Sequence, residues 1–220
     1  MTSGQFAAMT TAQAAALSAD QLAVVGTADL NALGATQFAT FGSAQVAAMT
    51  TAQIAKLETA DLAALSTAAL KGLNADAMAA LTTGQVAALT TAQAASLTST
   101  QLAALNTADI AAIESADIKA LAATALAGLG SAQVEALTSS QLAAMSSAQI
   151  AALPVDPASL AGLSSTDIAN LSSLQVAALT SAQLAALSST QLAAIETADI
   201  KALSTAALRA LNADQLSTLG

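Results

Sequence analysis

The sequence predicts an all-α fold: an α-solenoid of 27 very short helices, one for each eight-residue repeat. Three observations carry this reading. The chain divides into octads almost without remainder. Each octad opens with a helix-capping signal. The apolar positions recur with a period that suits neither one long helix nor a strand.

The repeat is clearest at Thr90–Leu97, T-T-A-Q-A-A-S-L, with near copies before it at Thr82–Leu89 and after it at Thr98–Leu105. We letter its positions a to h. Counting from Thr2 in steps of eight reaches Leu153, where Pro154 and Val155 interrupt the register. The count resumes at Asp156 and ends at Leu219. The expected organisation is a single array over 1–220 with a register break at 154–155. Every Gln falls at d, and every e and h position is apolar.

A continuous α-helix advances about 100° per residue, so an apolar pair repeated every eight residues would wind around it and bury nowhere. A strand needs alternation, which the d-e-f-g-h order lacks. Short helices fit. Position a is mostly Thr, Ser or Asn, whose side-chain oxygen caps an orphan N–H. Three residues on, Gln completes a capping box. Asp at 29, 61, 109, 117, 167 and 199 instead places a negative charge in the first turn, where the helix dipole favours it. The apolar h residue and the next e residue stand at N′ and N4, the spacing of a hydrophobic staple.

The later elements support the same phase. Asp156-Pro157 is the expected cap followed by Pro at N1. Glycine at a (Gly26, Gly34, Gly42, Gly130) suits a position that ends one helix and begins another. Lys71, Lys119, Lys201 and Arg209 at f sit towards helix C-termini and mark a solvent-facing position. Each octad should therefore be a helix of about two turns, stable only when e and h pack on neighbours and Ala at c and g permits close approach. The period leaves open how many octads form one coil. A block beginning at Glu58 recurs from Glu196, and more loosely from Glu114, which points to duplication of several octads at a time.

Composition removes whole classes of function. The net charge is −9, with 5 basic against 14 acidic residues. A nucleic-acid binder needs a basic face to displace counterions, so none is expected. Mean hydropathy is +0.64. Even so, Gln85, Gln93 and Gln101 break the longest charge-free run, and no stretch offers the ~20 apolar residues of a membrane span. The start M-T-S-G-Q-F-A-A-M lacks the basic and apolar regions of a secretory signal.

Catalysis has little to work with, since His, Cys, Tyr and Trp are all absent. The acidic pairs Asp109/Glu114 and Glu114/Asp117 read as caps and first-turn carboxylates rather than acid–base partners. A shallow acidic row near Glu58/Asp61 and Glu114/Asp117 lacks a calcium-loop pattern. We therefore expect no enzyme, no catalytic or metal residue and no cofactor. Phe6, Phe38 and Phe41 read as core, as do Met9, Met49 and Met145. The paired hydroxyls at a and b form a regular array that could meet ice or a glycan, but capping accounts for position a.

A Leu-Thr-x-x-Gln-Val stretch also opens helices in transcription-activator-like DNA-binding repeats. The likeness covers the capping signal alone. Over essentially the whole chain, the sequence resembles the alanine-rich L-[ST]-[ST]-x-Q-[VIL]-A-A octapeptide arrays of large bacterial secreted and surface proteins, some labelled for adhesion or haem utilisation. The resemblance implies a structural spacer or stalk located outside the cell or on the bacterial surface. The runner-up is a binding module presenting a solenoid face to a protein, glycan or ice. The first and last octads look like interior ones, whereas a free-standing solenoid needs polar caps. The partners expected are a protein or a second copy stacked end to end.

Overall fold

The computed structural model describes residues 1–154, 160 and 162–219. Among them are 26 short helices and no strand, one helix to each octad described. The chain forms two compact units, Met1–Ile113 and Glu114–Gly220. The fold is an all-α solenoid of short helices within each. The Asp156-Pro157 start lies outside the described residues.

The helices are four to six residues long, shorter than the two turns expected. The reason lies in the link between them. In the octad that opens at Thr90, the helix runs Thr91–Ser96 and stops at Leu97, which is extended at φ −62°, ψ 138°. The next cap, Thr98, is also extended at φ −88°, ψ 164°. Two extended residues, h and then a, turn the chain from one helix to the next. Positive φ is absent among the described residues. The glycines at a therefore do not serve as left-handed helix terminators. Gly26, Gly34, Gly42 and Gly130 are extended like the Thr and Ser residues they replace.

The N-termini follow the sequence closely. Thr90 Oγ1 accepts from the Gln93 N–H at 3.3 Å, and the Thr90 N–H donates to Gln93 Oε1 at 2.9 Å. The same reciprocal pair recurs at Thr10/Gln13, Thr138/Gln141 and Ser188/Gln191. Where a is Gly, only half the box survives, as in the Gly42 N–H to Gln45 Oε1 bond of 2.9 Å. Glu58, Glu114 and Glu196 at a make no side-chain cap.

Packing follows a rule of three. In the first unit, helix Ala35–Phe38 lies on Thr59–Ala64, Ala75–Ala79 on Ser99–Ala104, and Thr83–Ala87 on Thr107–Ala112. In the second, Ser115–Ala120 lies on Ser139–Ala144, and Ser147–Ala152 on Ser173–Ala178. Each partner is three octads on. Positions e and h form the core: Leu62, Leu102 and Leu184 at e are 0% exposed, and Leu65, Leu97 and Leu187 at h are buried. Each such side chain contributes roughly 1.5–3 kcal/mol by leaving water. That burial holds together helices far too short to form alone. Phe38 and Phe41 join this core with ring centroids 5.0 Å apart. Lys71, Lys119, Lys201 and Arg209 at f are exposed.

Small residues at g let neighbouring backbones approach. At Gly72 the approach is tight, because a β-carbon there would overlap the Ser43 backbone carbonyl three octads earlier.

Candidate functional site

Position d is where the octad departs from a purely local reading. Sequence reasoning assigns its Gln to the capping box alone. In the folded chain, Gln53, Gln85, Gln93, Gln149, Gln183 and Gln191 are buried. Each side chain serves two masters. Oε1 of Gln93 accepts from its own cap, while Nε2 donates to the carbonyls of Leu62 and Leu65, both at 2.8 Å. Those are the e and h residues of the octad four places earlier. Gln85 reaches Ile54 and Leu57, Gln101 reaches Leu70 and Leu73, and Gln191 reaches Leu160 and Leu163.

This tie answers a problem posed by the short helices. The last carbonyls of a helix lack intrahelical partners, and burying them unpaired is costly. The e carbonyl takes the h N–H of its own octad, as Leu62 does from Leu65 at 3.2 Å. With no left-handed terminator, the h carbonyl has no backbone donor, and a side-chain amide from the next coil serves both. Octads thus touch neighbours three and four places away, so one coil closes between three and four octads. A sequence signal existed: Glu never stands at d, although Glu completes a capping box as well as Gln does. Only Gln carries the donor that the tie requires.

The inserted pair Pro154-Val155 tests how strictly the ties count. Across it, Gln175 still reaches the e and h carbonyls of Leu142 and Met145, and Gln183 those of Ile150 and Leu153. Their separations are 33 and 30 residues, against 31 and 28 elsewhere. The packing counts octads and absorbs the extra residues.

Asp at d cannot donate, and it faces a different neighbour. Ser3 Oγ donates to Asp29 at 2.5 Å, Thr83 Oγ1 to Asp109 at 3.0 Å, and Ser139 Oγ to Asp167 at 2.6 Å. Ser173 Oγ donates to Asp199. Each donor is the b hydroxyl three octads earlier. For Asp61 the corresponding residue is Ala35, which has no hydroxyl. Asp61 is 3% exposed, and its Oδ2 is buried without a partner. Burial first, and the neighbouring Glu58 charge second, push its pKa up to about 6. At Asp167 burial also raises the pKa, but the Ser139 and Ser164 hydroxyls and the Ser164 N–H outweigh it and hold the group below its ordinary value.

The acidic residues considered from the sequence do not assemble into a centre. Asp109 and Asp117 are buried at d, while Glu58 and Glu114 are exposed at a. Among the described residues, no three acidic side chains gather into a group able to hold a metal ion. No helix among them is long and apolar enough to cross a membrane. A cleft of about 200 Å³ lies near the C-terminus, lined by Leu192, Ile195, Ile200 and Leu219 among others.

Fold and ties together define an octad-repeat α-solenoid in which the Gln at d joins one coil to the next. The ALTTAQ repeat matches residues 22–57, 54–91, 110–147, 160–194 and 192–220. The chain belongs to the ALTTAQ repeat family. The stretch Ala88–Gln93 spells that motif letter for letter, from the h leucine and its cap to the d glutamine. No curated protein matches the chain.

Proposed function

We propose that this repeat array is a structural spacer or stalk within a bacterial secreted or surface protein, and that it performs no catalysis. One observation carries the reading: the buried polar side chains at d are engaged in capping and in joining coils. The exposed positions repeat the same small residues along the chain. His, Cys, Tyr and Trp are absent, which leaves no nucleophile–base pair to assemble. The net charge of −9 speaks against nucleic acid as a partner. A surface location is tested by adding protease to intact cells that express the full gene product. The expected result is loss of the array from intact cells. Protection until the cells are lysed overturns the placement.

A second reading rests on the b hydroxyls. Most of those not bonded to Asp stay at the surface, such as Thr51, Thr59 and Thr67. A regular hydroxyl row could lie against a glycan or ice. Replacing these three by Val would abolish such binding in a glycan or ice-growth assay and would leave a spacer unaffected.

A further inference from the structure

Each Gln tie runs backwards along the chain to one carbonyl pair, on the e and h residues 31 and 28 positions earlier. The same count from Asp61 leads to Leu30 and Leu33, and both are buried. The Leu30 carbonyl accepts from the Leu33 N–H at 3.1 Å, but the Leu33 carbonyl has no donor among the described residues. Asp61 Oδ2 is itself buried without a partner. Two buried oxygens left unpaired at one joint are costly, and such a pair calls for a physical reason.

The two oxygens share one neighbourhood. Leu33 stands two residues before Ala35, the b position towards which an Asp at d turns. At the equivalent joint, Asp109 accepts from Thr83 Oγ1 at 3.0 Å, two residues past Leu81. Asp is one methylene shorter than Gln, yet that contact shows it spanning the gap between coils. At Asp61 the b residue is Ala35, so no hydroxyl engages the carboxyl. The surrounding charges give no relief. Ala35–Phe38 and Thr83–Ala87, which pack on Thr59–Ala64, carry no charged residue. Asp29, on the helix that leads into Leu30, accepts from Ser3, and Lys56, at the end of the preceding helix, is exposed. Glu58, at the cap of the same helix, adds a second negative charge.

We propose that a proton completes this joint: protonated Asp61 donates through its carboxyl O–H to the Leu33 carbonyl, and the tie opens when the proton leaves for solvent. Only the acid form of a carboxyl carries a hydrogen-bond donor. In that form Asp61 supplies the h carbonyl with the donor that Gln supplies elsewhere, and it sheds its repulsion with Glu58. The titration runs the same way, since burial first and Glu58 second raise the pKa to about 6. The Gln ties at 53, 85 and 93 do not titrate, so this joint answers to pH while they hold. Acid tightens it, and neutral pH loosens the contact between the coil that ends at Leu33 and the helix Thr59–Ala64. This inference goes beyond the spacer reading and stands whether or not the array is a stalk.

The test follows the whole chain, labelled with carbon-13 and nitrogen-15, by nuclear magnetic resonance from about pH 4 to about pH 8. The Leu33 carbonyl resonance should shift with the same midpoint, about 6, as the Asp61 carboxyl. Amide exchange in Thr27–Leu30 and Thr59–Ala64, corrected for intrinsic rates, should speed up at least ~10-fold between about pH 5 and about pH 7.5, the change expected for one buried bond. Asp61→Gln installs the permanent donor used in other octads. It should hold the Leu33 resonance and the exchange rates constant over that range. A Leu33 resonance that stays fixed while Asp61 titrates overturns the proposal. So does exchange in Asp61→Gln that still speeds up with pH. Sodium chloride and tetramethylammonium chloride at equal ionic strength should give the same wild-type midpoint. A midpoint lowered by sodium alone would place a metal ion, not a proton, between the two oxygens and would also overturn it.

Discussion

At the scale of single residues, the two aspartates at d show how one neighbour sets a carboxylate. Asp167 receives two hydroxyls and one N–H, whereas Asp61 receives none of these and faces Glu58. The sign of the stability effect follows. Asp61 titrates near 6 when folded but near its ordinary value of 3.8 when unfolded. The folded state therefore binds the proton more tightly, and stability falls as pH rises from about 4 through about 6. Asp61→Asn should show a flatter melting-temperature profile across that window, with the gain over wild type growing from about pH 4 and complete above about pH 6. A parallel pair of profiles would contradict the assignment. Ala35→Ser restores the b hydroxyl that Asp29, Asp109, Asp167 and Asp199 each accept from. It should stabilise the chain at pH 7 by about 1 kcal/mol in urea unfolding and should lower the Asp61 pKa.

At the scale of the helix, the capping box and the inter-coil tie can be separated by one substitution. Gln93→Glu preserves the acceptor for the Thr90 N–H but turns a negative oxygen on the Leu62 and Leu65 carbonyls. It should cost about 2 kcal/mol or more, because the buried Leu65 carbonyl loses its donor, Leu62 keeps only the Leu65 N–H, and both now face a negative oxygen. The same change at Gln5, whose Nε2 bonds nothing, should stay within about 0.5 kcal/mol. Comparable losses at both sites in urea unfolding would mean that the box, not the tie, dominates. Gly72→Ala probes a tight backbone contact between helices. The added methyl meets the Ser43 backbone, which cannot yield as a side chain could, so a loss of about 1–3 kcal/mol is expected. The caps and the e/h core were legible in the sequence because both depend on residues within one octad. The tie was not, because a repeat of eight carries no record of how many octads complete a coil.

For the molecule as a whole, the tolerance at Pro154-Val155 gives a rule about where residues can be added. Two glycines inserted at an h–a junction, such as Leu97/Thr98, should lower the melting temperature far less than the same pair between Gln93 and Ala94. The second insertion separates the tie from the core residue beside it. Equal losses in thermal unfolding followed by circular dichroism would overturn the octad phase. The phase itself was legible from Thr90 and its copies alone. The division into the units Met1–Ile113 and Glu114–Gly220 was not. The octads that meet at Ile113 and Glu114 carry T-A-D and S-A-D, and T-A-D also occurs inside both units at Thr27, Thr59 and Thr197, so no local residue marks the boundary.

The backward direction of the ties also bears on how such a chain is made. Each glutamine that makes a tie closes a loop of 28 to 33 residues onto a coil synthesised before it. No tie has to wait for residues still to be synthesised beyond its own octad. Lengthening the array adds ties of the same short reach, so the entropic cost of closing each one stays constant as the chain grows. Folding speed, which falls as contacts become more distant along the chain, should therefore be nearly independent of the number of octads. A gene that gains or loses whole octads changes the length of its product without making it harder to fold.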